Sequence, residues 1–465
     1  MLRTTRLAIA IVTALAVLTA AACSDDKPAA SDGTEADEAP DGATIHVPKD
    51  HATIQSAVDA AAPGDLVLIA PGTYEEAVDV ETENLTIRGL DRNEVILDGG
   101  FELENGIRVL ADGVAIENMT ARNYTTNGFF WTGVTGYRGS YLTAVRNGDY
   151  GVYAFDANKG QLEHIYSSGS PDAGVYIGQC YPCDAVIDDV LSEYNGLGYS
   201  GTNSGGNLLI VNSTFRYNRA GIVPNSGSYE LCYPGRDNTI VGNVVHDNMQ
   251  PDTPAIDVAL LAMGNGILVA GSNRNIVERN LVYDHERVGI GLVPYPEENA
   301  NDGVPGPDAW DVPCADARDD PPTITDPDAL ALVLWDAMQN RIVGNDVSGS
   351  GLADLAVGSL QPDLAGLDNC FGGNTHATTA PVDLEALAPC SGDPTATDWS
   401  VGALDLGALV AAERPPSVDY RRASIPDPGD QPNMPDAATA PAHPATDVPF
   451  AVDVDAIALP ARPTG

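Results

Sequence analysis

Lysine is nearly missing from this chain: Lys27, Lys49 and Lys159 are the only ones in 465 residues. Lysine and arginine together number 23 against 66 aspartates and glutamates, a formal net charge of −43. That balance removes the basic surface a nucleic-acid partner requires. It favours solubility and attracts divalent cations, whereas a polyanionic ligand would need a local basic patch. Apolar runs long enough to span a bilayer are lacking as well, because the one that follows Arg3 and Arg6 in "MLRTTRLAIAIVTALAVLTAAAC" stops after about sixteen residues. Seven histidines and six methionines are scattered along the chain, so the clustered soft ligands that copper handling needs are not supplied. Helical periodicity is absent over most of the length.

The opening segment has the layout of a secretory signal, with a basic start, an apolar stretch and small residues before Cys23. It resembles the bacterial lipoprotein cleavage site, which implies a lipoprotein signal at residues 1–23 cut so that Cys23 becomes the lipidated first residue of the mature protein, attached to the outer face of the cell membrane. Ala20 departs from the leucine more usual in that pattern. Residues 24–43 are acidic and small and read as a disordered tether. Six further cysteines (Cys180, Cys183, Cys232, Cys314, Cys370, Cys390) suit disulfides in an exported chain. We expect Cys180–Cys183 to pin a turn, Cys232 to pair with Cys314, and Cys370 with Cys390, although six cysteines allow fifteen arrangements. The alternative for the CYPC pair is a metal or redox site, but no second CxxC or close His pair completes it.

Glycines reveal a repeat. Gly151, Gly174, Gly198 and Gly221 are spaced by 23, 24 and 23 residues, and Gly266 and Gly289 by 23. Stretches beginning at Asn238, Asn273 and Asn340 recur as Asn followed by Ile/Val alternation. Such a period, with only short strands inside it, predicts a solenoid, and the length is that of one turn of a parallel β-helix. Stacked at about 4.8 Å, roughly a dozen coils give a rod on the order of 60 Å. Left-handed turns account for the Gly and Asn positions, and stacked Asn side chains can bond as ladders.

The stretch "ATIQSAVDAAAPGDLVLIAPGTYEEAVDVETENLTIRG" from Ala52 resembles the first coil of right-handed parallel β-helix proteins of the pectin-lyase-like superfamily. It reads as a short helix (Ile54, Ala57, Val58, Ala61) capped by Thr53, then strands, with the helix closing the open end of the stack. "SGSPDAGVYIGQCYPC" and its neighbours resemble a subgroup of bacterial exported β-helix lipoproteins without a settled role. The expected architecture is therefore all-β, a right-handed parallel β-helix over residues 44–408, with a loop insertion at 294–335 and a Pro-rich tail at 409–465 lying back along the rod with Tyr420 and Met434 as anchors.

The resemblance implies a monomer that binds or processes extended polysaccharide or cell-envelope glycan. Lyases and epimerases of this fold combine acidic residues, calcium and a proton-abstracting base. The candidates here are Asp156, Lys159, His164, Arg146 and Asp172, although each also suits an ordinary turn. "FDAN" is similar to the "DPH" stretch of mannuronan epimerases, but Ala157 and Asn158 replace the proline and histidine. The corner Asp284, His285, Glu286 and Arg287 is a second polar cluster. In the insertion, Trp310 and Tyr295 could stack on sugar rings, and Asp302, Asp308, Asp311, Asp316, Asp319 and Asp320 could hold calcium without any defined loop spacing. A metal-handling β-helix, like the accessory protein of copper-dependent nitrous oxide reductase, is the remaining alternative.

Overall fold

The computed structural model describes residues 42–319, 331–441 and 451–463. The signal segment, Cys23, most of the acidic tether and Asp320 lie outside these. Short strands wind into a right-handed parallel β-helix with three strands per full coil. One face is an eleven-stranded parallel sheet running from Val78–Val80 to Thr379–Ala380. We call it the first sheet; the other two strands of each coil meet at a single-residue corner and form the second and third. The period-two pattern decides what faces in: Ile107, Phe129, Val152, Val175, Tyr199, Ile222, Ile267, Ile290 and Leu355 lie in register inside the first sheet. One apolar core follows them from Val47 to Leu384.

The glycines have a different job from the one expected. Gly151, Gly174, Gly198, Gly221, Gly266 and Gly289 do stack in one column, but none has a positive φ. A Cβ on Gly221 would lie 2.5 Å from the carbonyl oxygen of Gly266, and one on Gly266 equally near that of Gly289. Close approach of successive coils excludes a side chain there. The left-handed corners between the second and third sheets are filled by Asn118, Tyr141, His164, Asp189, Asn212 and Arg279, with φ between 48° and 58°, and by two other glycines, Gly242 and Gly344, at 70° and 64°.

Asparagine ladders run inside the corners. Asn238, Asn275, Asn340 and Asn369 hydrogen-bond in sequence, as do Asn243, Asn280, Asn345 and Asn374. The rung below Asn238 is Asn275 rather than Asn273, a shift of two that keeps the same face inward. A third ladder, Asn195, Asn218 and Asn248, ends on the buried His285, whose basicity burial lowers to a pKa of about 3. His285 is thus a neutral rung rather than part of a polar surface corner.

Both ends are closed. At the start, the helix Ile54–Ala60 buries Ile54, Ala57 and Val58, and the Thr53 hydroxyl accepts from Ser56 N at 3.1 Å. At the far end, Leu384–Leu387 plugs the core beside the Cys370–Cys390 disulfide. The pairings Cys180–Cys183 and Cys232–Cys314 complete the expected set. The insertion opens and closes with an antiparallel pair, Tyr295–Glu298 with Leu332–Trp335. Among the described residues no helix is long and apolar enough to cross a membrane.

The tail runs back along the second and third sheets. Tyr420 packs edge-on to Phe101, Met434 N donates to Asn118, and Ile457 packs with Val186, Val211 and Val241. Five rod arginines donate to its carbonyls: Arg88, Arg92, Arg146, Arg219 and Arg279. A Pro-rich segment has few N–H groups of its own and leaves its carbonyls free, which suits a side chain with five donors.

Candidate active site

The outer face of the first sheet carries a column of aromatic rings. Alternation that turns Val152, Ala154, Val175 and Ile177 inward turns Tyr153 and Tyr176 outward, and their pairing in register puts them one coil apart, with Phe130 one coil before. Phe130 stacks on Tyr153 at 4.7 Å between centroids, Tyr150 stacks on Tyr153 at 4.2 Å, and Tyr176 meets Tyr153 edge-on at 5.0 Å. Tyr176 can lean across because position 178 is glycine: a Cβ there would sit 2.2 Å from the Tyr176 hydroxyl oxygen.

Two carboxylates meet this column. The Tyr176 hydroxyl donates to Glu230 Oε1 at 2.7 Å. Glu230 arrives on the loop Ser226–Gly235, which Asn203 holds by donating to the carbonyls of Gly227 and Glu230. The loop is also tied to the insertion, through Ser228 to Glu297 and through the Cys232–Cys314 disulfide. Asp172 precedes the strand Ala173–Gly178 and takes a hydrogen bond from Tyr150. Tyr229 and Tyr295 wall the far side.

The electrostatics are unusual for an acidic protein. Loss of hydration pushes Asp172 up to about 7, with Tyr150 opposing and the Asp149 charge adding. Loss of hydration likewise pushes Glu230 up to about 8, with the Tyr176 hydrogen bond opposing and Asp172 adding. No cation is among the charges acting on either carboxyl. Burial raises Tyr150, Tyr153 and Tyr176 as well, so they stay phenols that donate hydrogen bonds and cannot serve as bases near neutrality. Asp172 and Glu230 are the two groups here able to gain and lose a proton between pH 6 and 9.

Of the catalytic candidates singled out in the sequence, only Asp172 belongs to this cluster. The coil carries the others to its corners, where all four adopt positive φ. Asp156 closes the strand Tyr150–Phe155 and pairs with Arg318, while Lys159 is exposed two residues into the following turn and strand. His164 stands at the next corner, with Nδ1 2.6 Å from Asp189 Oδ2, and Arg146 at the third, donating to Ala423 O. Trp310 is buried, with its indole N–H on Pro305 O, so it offers no platform to a sugar. Tyr295 does reach the site. Asp302 accepts from Tyr233 and Asp311 pairs with Arg274. No three His, Cys, Asp or Glu side chains among the described residues draw together as a metal cluster. Glu230 and the tyrosines were missed, although Tyr153 and Tyr176 stand one repeat apart, a spacing that could have marked them.

Gly178→Ala tests the geometry. We expect Tyr176 to be displaced from Glu230 while the coil stays folded, raising Glu230 exposure. The readout is a change in tyrosine near-ultraviolet circular dichroism with far-ultraviolet signal retained.

The sequence pattern of a family described as right handed beta helix region matches residues 105–299. No curated protein matches the chain. Among solved structures, the A-module of mannuronan C-5 epimerase AlgE4 from Azotobacter vinelandii is 15% identical, with 70% of this chain and 91% of that one covered and a TM-score of 0.45. The periplasmic alginate epimerase AlgG is 14% identical over 72% and 83%, with a TM-score of 0.36. Pectate lyase Pel9A is 13% identical over 82% and 84%, also at 0.36.

Proposed function

From the premise that this chain is a right-handed parallel β-helix of pectin-lyase-like fold, we propose that the outer face of its first sheet binds an extended polysaccharide and hydrolyses it. Asp172 and Glu230 are the acid–base pair. The observation that carries this reading is the pair itself: two carboxyl groups with proton affinities near neutrality, set against stacked tyrosines on a flat sheet face. Of these rings Tyr176 is buried beneath Glu230, while Phe130, Tyr150 and Tyr153 are partly exposed and present apolar faces to sugar rings. One carboxyl, protonated, gives its proton to the leaving oxygen as the glycosidic bond breaks; the other, ionised, takes a proton from water as it attacks.

The electrostatics choose among glycans. A uronate chain would bring carboxylates to a place where the charges already present are negative, so a neutral polysaccharide is the better substrate. Lipidation at Cys23 would hold the rod on the outer face of the membrane, against the cell-envelope glycan.

The test is a panel of neutral and uronic polysaccharides offered to the purified mature chain, with and without calcium, following reducing ends and the ultraviolet absorbance of unsaturated ends. New reducing ends from a neutral glycan, reduced at least 100-fold in Asp172→Asn and in Glu230→Gln, are the expected result. Unsaturated ends from a uronan would overturn hydrolysis. Saturable binding without product would make the rod a binding protein instead.

A further inference from the structure

We propose that a second site, adjoining the carboxylate cleft at Tyr295, holds a single-chain amphiphile with an anionic head, a long-chain carboxylate. It lies between three elements: the helix Asp257–Ala262, the base of the insertion at Tyr295–Glu298 and Leu332–Trp335, and the helix Leu406–Ala411. A cavity of about 700 Å³ opens between them, lined by Val258, Leu261, Leu334, Leu406 and Val410, a volume within the range of small-molecule sites. Val258, Leu261, Leu406 and Val410 continue into a smaller inner recess of about 80 Å³, and there two side chains of opposite character to the walls appear, Arg287 and Arg414.

Three observations point to the occupant. The helix Leu406–Ala411 has the sequence LGALVA and buries none of its residues. Val410 is 58% exposed, Leu332 58% and Leu360 67%, a contiguous apolar patch of the kind that marks a binding surface. The second observation is the arginine pair. In a chain of net charge −43 most arginines have carboxylate partners, yet the half-buried Arg287 guanidinium makes no hydrogen bond or ion pair with any described residue. Its stem lies against Gly264, where a Cβ would meet it at 3.1 Å. Arg414 donates to the carbonyls of Leu409, Val410 and Ala412 at the end of one helix and to Leu261 O in the other, but its Nε is buried without a partner. Third, burial lowers the proton affinity of Arg414 and the Arg287 charge lowers it further, while the charge acting on Arg287 is that of its exposed neighbour Glu286. An anion between them relieves that repulsion and satisfies the open donors, and a carboxylate accepts from guanidinium groups in the fork geometry they offer. The long apolar groove leading outward from the recess then takes an alkyl chain. Glu298 and Asp257 at its mouth disfavour a second negative group further along.

The experiment is displacement of cis-parinarate from the full mature chain by palmitate and, as the headless comparison, by hexadecan-1-ol. Palmitate is expected to displace the probe with one-to-one stoichiometry and at least tenfold better than the alcohol. Arg287→Gln should weaken palmitate at least tenfold and leave the alcohol unchanged. Val410→Asp, at an exposed position that the fold does not depend on, should weaken both. Equal binding of acid and alcohol, or palmitate binding unaltered in Arg287→Gln, overturns the arginine head site. Binding unaltered in Val410→Asp, or no saturable displacement from wild-type protein with native circular dichroism, overturns the cavity.

Discussion

The double variant Asp172→Asn/Glu230→Gln is expected to lose glycan turnover and yet to melt at a higher temperature than the wild type above pH 7. Both carboxyls bind protons more tightly in the folded chain, at about 7 and about 8, than an ordinary aspartate or glutamate does at 3.8 and 4.5. Between pH 4 and pH 8 the folded state therefore holds protons that the unfolded state has released. Stability is fully present below pH 4 and declines as the pH rises through 7 and 8. Amides do not ionise, so the variant escapes the decline. Each unit of displacement is worth about 1.4 kcal/mol, and since both groups keep some contact with water we expect about 2 kcal/mol for the pair. That corresponds to roughly 2–4 °C per kcal/mol in a domain of 150–250 residues, and less in a longer rod. Melting curves from pH 4 to pH 9 decide it: wild type and variant should coincide at pH 4, diverge progressively up to about pH 8 and keep a constant gap above it. Parallel curves would mean that the carboxyls are ordinary, and the acid–base reading would lose its footing.

The largest loss of stability is expected from Glu117→Ala. Glu117 is fully buried in the second sheet, with Arg88 Nε 2.7 Å from Oε2 and Arg138 Nη1 3.3 Å from Oε1. Register sets this up, because Arg88 and Glu117 are direct partners in successive coils. Removing the carboxylate leaves the Arg88 charge buried with only the tail carbonyls of Ala437, Ala440 and Pro441 for company. Breaking a buried pair in this way costs about 3–5 kcal/mol. The double variant Arg88→Met/Glu117→Leu, which removes both charges, should recover most of that loss. Urea denaturation measures both. A loss below about 1 kcal/mol in Glu117→Ala would show the pair to be solvated, and a double variant no better than the single would show that shape, not charge, is at stake.

The architecture was readable because a solenoid writes its period into the chain. Gly151 to Gly289 gave the coil length, and Thr53 with Ile54, Ala57 and Val58 gave the cap. The reason for the glycines was misread, since sequence cannot distinguish a residue excluded by a neighbouring coil from one that needs a left-handed turn. Asp172 could be singled out from its own turn. Glu230 could not, because what raises its proton affinity is the loss of hydration it suffers beside Tyr176, 54 residues earlier, brought about by a loop whose path depends on Asn203 and on a disulfide to Cys314. Asp156, Lys159, His164 and Arg146 looked like a site because they are near in sequence. A coil of about 23 residues separates such neighbours onto different corners and gathers residues one period apart.

The tail changes what kind of unfolding this rod can undergo. In a stack where each coil touches only the next, stability is a sum of neighbouring terms and one end can fray while the other persists. Here Pro415 and Pro416 are bound by Arg219, Ala423 by Arg146, Pro432 by Arg92, Pro441 by Arg88 and Val454 by Arg279. A single strand of late-made sequence thus spans early and late coils alike. Loss of any of these coils releases a length of tail, and release of the tail takes a hydrogen-bond acceptor from the arginines on the others. The chain is thereby turned from a row of independent units into one cooperative body.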